Sequence, residues 1–132
     1  MLSYLLILGH LIGDYVLQSH AMAVRKTSSW RWAWIHAACY SIPFAVLLGC
    51  LHVPIGSLLL ALLIIGGTHA IIDRYRLAAV WCRWYGVGFP GLWWRGNGWQ
   101  DPPPFLGVWL IILVDNTMHL AINGAVVWGL GT

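Results

Sequence analysis

The chain has 132 residues, 60% of them hydrophobic, a mean hydropathy of +0.75 and only 8% charged residues, against roughly 25% in an ordinary soluble domain. Seven Lys and Arg and four Asp, with no Glu, cannot cover the surface of a soluble fold this size, so the composition excludes one and predicts a single all-α polytopic membrane domain over residues 1–132. The net charge of +3 and pI near 9.0 do not point to nucleic acid, because the basic residues are scattered between apolar segments and form no basic face.

Apolar stretches fall at about residues 2–18, 32–51, 55–74 and 105–128, each near the ~20 residues a helix needs to cross hydrocarbon. Four transmembrane helices in a bundle are expected. The first stretch has no basic leader, carries His10 and Asp14, and lacks a clear cleavage site, so it reads as a retained helix. Cys39, Cys50 and Cys82 lack CxxC spacing and suggest no disulfide framework. The linkers are a polar turn (HAMAVRKTSS), an uncharged hairpin (LHVPIG) and a Gly-, Pro- and Trp-rich segment at about 76–104.

Arg25, Lys26 and Arg31 flank the first linker, and Arg74, Arg76, Arg83 and Arg95 lie at or within the third. All basic residues therefore fall on one side of a four-span chain, which the positive-inside rule makes the cytoplasm, with both termini outside. The location this implies is a bacterial inner (cytoplasmic) membrane. Trp30, Trp32, Trp34, Trp81, Trp84, Trp93, Trp94 and Trp99 gather around the same two linkers, where an aromatic belt belongs, and the third linker reads as interfacial. An aromatic substrate groove is the alternative.

Within the apolar spans stand Asp14, Asp73, Asp115, His10, His36, His69 and His119. An ionisable group in hydrocarbon costs at least ~2.5 kcal/mol on the insertion scale, so such a set needs a collective explanation. His10 and Asp14, His69 and Asp73, and Asp115 and His119 are each four apart, and His36 stands four before Tyr40. On a helix that spacing puts both members on one face, and four inward faces would concentrate the set at the bundle centre. Imidazole and carboxylate without thiolate suit a divalent transition metal, Zn, Fe or Mn, as one or two ions. All seven are candidate ligands, and Asp14, Asp73 and Asp115 would carry the catalytic charge. Helix-to-helix hydrogen bonding is the plainer alternative.

Around the set, Gln18 is a further ligand candidate or an interfacial residue. Tyr40, Thr68, Asn116, Thr117 and Asn123 could orient ligands or bond helices together, and His20 and His52 read as solvated linker residues. Gly9 with Gly13, and Gly66 with Gly67, precede the polar pairs and predict close helix approach.

The HLIGDYVLQ block followed by MAVRK, His36 with Tyr40, THAIID and DNTMHL together resemble a family of small bacterial and phage membrane proteins catalogued as domain of unknown function 3307. The resemblance runs from about His10 to Leu120, and the family's polar positions map to His10, Asp14, Gln18, His36, His69, Asp73, Asp115 and His119. Tyr15 stands where the family often has Phe, and Asn116 where Gln is common; neither change removes a candidate ligand. The resemblance implies the membrane fold and these positions, and supplies no reaction.

Three functions compete. The first is an intramembrane metal-dependent hydrolase acting on a lipid or lipid-linked ester or phosphate, with membrane lipid around it and Arg74, Arg76 and Arg83 near the phosphate. No nucleophile motif such as GxSxG occurs, so water would attack. The second is a proton or metal-ion transport component, which with four helices would require a homo-oligomer or a larger membrane complex. The third is a noncatalytic membrane subunit or phage-encoded partner protein.

Overall fold

The computed structural model describes residues 1–85 and 104–130. Among them the regular elements are all helical: α1 (Leu2–Leu11), a π-helical turn (Ile12–Val16), α2 (His20–Arg25), α3 (Trp30–Cys50), α4 (Ile55–Tyr75), α5 (Leu77–Tyr85) and α6 (Pro104–Gly129). Among the described residues, three helices are long and apolar enough to cross a membrane: Trp30–Cys50, Ile55–Tyr75 and Gly107–Gly129. The first apolar segment differs from expectation. It is helical only over Leu2–Val16, short of a standard span, because the chain leaves helix at the polar residues after Leu17 and Ser19 caps α2 by accepting from the Met22 backbone N–H.

Two compact units divide the chain, Met1–Tyr75 with His119–Thr132, and Arg76–Met118. In the first, α3 and α4 pair most extensively, and α1, the π turn and α2 pack on α3. Its apolar core is small. Tyr40, Phe44 and Ile65 form one cluster with Leu6, Leu62 and Val126 around it, and Leu48, Ala61 and Val127 form another with Leu2, Val53 and Leu58. The C-terminal turns of α6 thus complete a four-helix packing with α1, α3 and α4.

Polarity is inverted relative to a soluble bundle. His10, Asp14, His36, His69, Asp73, His119 and Asn123 are buried, while Ile42, Val46, Leu59, Leu60 and Leu63 are exposed, as a lipid-facing surface requires. Two glycines set the helix spacing. A Cβ on Gly13 would lie 2.8 Å from the Tyr40 carbonyl oxygen, and one on Gly66 would lie 2.9 Å from Ser41 Oγ. Gly9 has only ordinary contact, and Gly67 faces open space, so one glycine of each expected pair carries the close approach.

In the second unit, α5 buries Ala78, Ala79 and Cys82 and exposes Leu77, Val80, Trp81, Trp84 and Tyr85. Trp81 stacks on Tyr85 at 4.7 Å between centroids. An exposed aromatic face on a short helix suits the headgroup layer. Trp93, Trp94, Trp99 and Arg95 lie outside the described residues. All three cysteines are free thiols, and burial pushes the Cys82 thiol pKa up.

Candidate metal centre

The site arises where the close approaches fall. Gly13 seats the π turn against Tyr40 of α3 and so brings Asp14 beside His36, one helical turn before Tyr40. Gly66 seats α4 against Ser41 and brings His69 and Asp73 to the same place. His36 Nε2 stands 3.1 Å from Asp14 Oδ1, 3.3 Å from Asp73 Oδ2 and 3.0 Å from His69 Nε2. His69 Nε2 lies 3.1 Å from Asp73 Oδ2 and 3.8 Å from Asp14 Oδ1. The four ligating atoms lie within 4.8 Å of one another, and all four residues are buried. Bonds of about 2.0–2.2 Å to a shared tetrahedral ion would separate ligand atoms by about 3.3–3.6 Å, close to the distances seen, so the spacing suits one divalent ion.

Proton counting leads to the same place. Lys26 Nζ, which only donates, is 3.2 Å from His36 Nε2 and asks that nitrogen for its lone pair, whereas the two carboxylates ask it for a proton. His69 Nε2, at 3.0 Å, faces the same carboxylates. No single placement of protons on the two rings satisfies every neighbour, whereas one cation among the four atoms would take a lone pair from each of them.

The sequence gives Lys26 a role in topology alone. In the structure its ammonium is 2.9 Å from Asp73 Oδ2 and 3.6 Å from Asp14 Oδ1, with the side chain only 14% exposed. It is the only lysine in the chain, where every other fixed cation is arginine, and that singularity is the available signal.

A second tier lies one helical turn from the first. Tyr40 Oη receives a hydrogen bond from Asn123 Nδ2 at 2.6 Å and lies 2.9 Å from His10 Nδ1. The Tyr40 ring stacks on His69 with centroids 3.7 Å apart and planes 15° from parallel. His69 links the tiers, since its Nδ1 is 3.2 Å from His119 Nδ1. A metal-ligating histidine needs such a partner on its other nitrogen. His10 and His119, expected as ligands, therefore stand beside the four-residue cluster and around Tyr40 and His69. Between His10 and Asp14 the chain passes from α-helix into the π turn, whose wider winding changes the bearing of one against the other.

Asp115 occupies the turn before His119 on α6 but belongs to the second unit. Gln18 is partly buried, and its Oε1 has no hydrogen-bond partner among the described residues. Thr68 and Thr117 donate to the carbonyls of Ile64 and Leu113 on their own helices, each at 2.7 Å, so these hydroxyls are spent locally. His20 and His52 are exposed.

At the linker side of the cluster, Arg74 Nη1 donates to the Thr27 carbonyl at 2.6 Å. The guanidinium lies over the Trp30 ring at 5.7 Å and fastens the segment after Lys26 to α4.

The model of a family described as protein of unknown function (DUF3307) matches residues 2–128. No curated protein and no solved structure matches the chain.

Proposed function

The chain belongs to that DUF3307 family, and within it we propose that Asp14, His36, His69 and Asp73 hold a divalent transition metal, Zn, Fe or Mn, at the centre of an integral membrane hydrolase. The convergence of two imidazole nitrogens and two carboxylate oxygens carries this reading, because two carboxylates buried side by side repel unless a cation sits between them. Asp14 and Asp73 carry two negative charges against the single positive charge of Lys26, and a dication between the carboxylates would separate them and carry the balance to the positive side. A bound dication would also lower the pKa of a coordinated water towards ~7 and polarise an ester or phosphoryl oxygen.

The chain's own residues would do the rest. His36 and His69 fix the geometry, His119 holds His69 in one ring orientation from the second tier, and Asp14 and Asp73 are placed to accept a proton from the attacking water. That proton passes to the leaving oxygen as the ester bond breaks, giving an alcohol and a free acid or phosphate. Asp115, one helical turn before His119 on α6, remains a candidate ligand for a second ion. We place four passes in a bacterial inner membrane, with Leu2–Val16 as a short first pass and both termini outside. The cluster then lies near the cytoplasmic headgroups, where lipid or lipid-linked substrates present their ester and phosphate groups.

Metal analysis after gentle extraction tests the centre. One equivalent of transition metal is expected, lost in both His69→Ala and Asp73→Ala. Metal-free wild type, or full occupancy in both variants, would overturn it. A second reading, proton or ion passage, draws on the chain of close ring nitrogens from His36 through His69 to His119. It predicts proton or metal flux in proteoliposomes that His119→Leu abolishes.

A further inference from the structure

Four protein ligands close a tetrahedral site, and catalysis needs one approach left open. Asp14 Oδ1, His36 Nε2 and Asp73 Oδ2 define one face of the cluster, and Lys26 Nζ caps it at 3.6, 3.2 and 2.9 Å respectively. Anything that reaches the four atoms across this face meets the ammonium first.

An ammonium and a dication compete for the same two carboxylates, and the dication has twice the charge. Once the carboxylates are engaged by a metal, Lys26 loses its counterions but keeps its place. Ser19-capped α2 precedes it, and the bond from Arg74 to the Thr27 carbonyl pins the residue after it. Beside it, Arg74 Nε is buried without a hydrogen-bond partner among the described residues. The local sum then has roughly two positive charges in excess, a costly state for a low-dielectric site unless an anion enters. A neutral carboxylic ester cannot supply the balance. A phosphoryl group can, because its non-bridging oxygens carry the charge and accept from an ammonium at hydrogen-bond distance.

Resting on the metal centre proposed above, we propose that Lys26 is a substrate-binding residue whose ammonium receives a non-bridging oxygen of a phosphoryl group presented to the Asp14, His36, His69 and Asp73 cluster. Phosphate esters are then the substrate class, and neutral esters are not. The same geometry makes Lys26 the competitor of the metal and the partner of the phosphate, so its removal should move the two affinities in opposite directions.

The test uses the full chain in phosphatidylcholine nanodiscs, loaded with Co²⁺ and read by its visible absorption, with inorganic phosphate as the probe. Wild type should show the cobalt band and a phosphate-dependent change in it. Lys26→Met, which keeps the apolar stem, should bind Co²⁺ at least as tightly as wild type and phosphate at least about tenfold more weakly. Lys26→Arg should retain most of the phosphate response. Phosphate binding in Lys26→Met equal to wild type would overturn the role of Lys26 and leave the metal centre standing. Loss of Co²⁺ in Lys26→Met would also overturn it, by making the lysine a structural strut. Absence of a cobalt band in wild type would bring down the metal centre itself. Discs containing phosphatidic acid separate the sources. A Lys26-dependent response to the lipid below the phosphate concentration that works in solution supports a lipid-borne group, and one to inorganic phosphate alone supports a soluble phosphate ester.

Discussion

The two polar tiers of the first unit are built from similar side chains and share α3 and α4, yet they solve burial differently. Around Tyr40, each contact has a donor and an acceptor: Asn123 donates to the phenol oxygen, and the phenol can donate to His10. Nothing charged is required, and the arrangement is what helix-to-helix hydrogen bonding looks like. Around His36, the π turn, the end of α2, α3 and α4 aim two carboxylates, two imidazoles and an ammonium at one point, and hydrogen bonds alone leave conflicting demands. Burial of polar groups therefore does not distinguish glue from chemistry. The balance of donors, acceptors and charge does.

Breaking the charged tier should have the largest effect. Asp73→Ala removes the carboxylate shared by Lys26, His36 and His69 and should weaken Co²⁺ or Zn²⁺ binding more than about 100-fold, beyond the loss typical of residues behind the ligands. Competition titration against a chelator of known affinity measures it. Gly13→Ala comes next, because the added methyl meets Tyr40 backbone, which cannot yield as a flexible side chain can. It should destabilise the bundle by about 1–3 kcal/mol and weaken metal binding with it, whereas Gly9→Ala should leave both unchanged in parallel thermal melts and titrations.

Tyr40→Phe sharpens the contrast from the other side. It keeps the ring stacked on His69 but leaves Asn123 and His10 without the shared hydroxyl, so stability should fall by about 1–3 kcal/mol while metal stoichiometry stays at the wild-type value. A loss of metal from this variant would merge the tiers into one functional unit. The smallest perturbation is chemical labelling. An impermeant maleimide applied to intact cells should modify Cys50, exposed at the end of α3, and spare the buried Cys82, whose thiol pKa is raised. Labelling of Cys82 without Cys50 would reverse the proposed orientation.

Much of this is legible without coordinates. The i, i+4 spacing of His69 and Asp73 on an unbroken helix correctly puts both in one cluster, and the cost of charges in hydrocarbon correctly demands that they meet. For His10 and Asp14 the same spacing is a weaker guide, because the rule assumes α-helical turns and nothing in IGDYV announces a π turn. His36 and Tyr40, with the same spacing, reach different partners, His36 the two carboxylates and Tyr40 the Asn123 amide and His10. Lys26 escapes notice because the positive-inside rule gives it a sufficient explanation. Thr68 and Thr117 look available as orienting groups, but a hydroxyl on a membrane helix has its own carbonyl within reach. A first helix shorter than its apolar stretch is hidden too, because hydropathy does not register where the chain abandons helical geometry.

The π turn at Ile12–Val16 works as a phase shifter. A π turn takes about one residue more per turn than an α-helical one, so the bearing of Asp14 against His10 departs from the α-helical one. One helix can thus serve a neutral layer and a charged layer without bending away from α3. Such an offset is indivisible: it is one whole residue or none. A single-residue deletion within the turn would shift Asp14 against its partners while barely changing composition or hydropathy, so Ile12, Tyr15 and Val16 tolerate substitution far better than the turn tolerates a change of length.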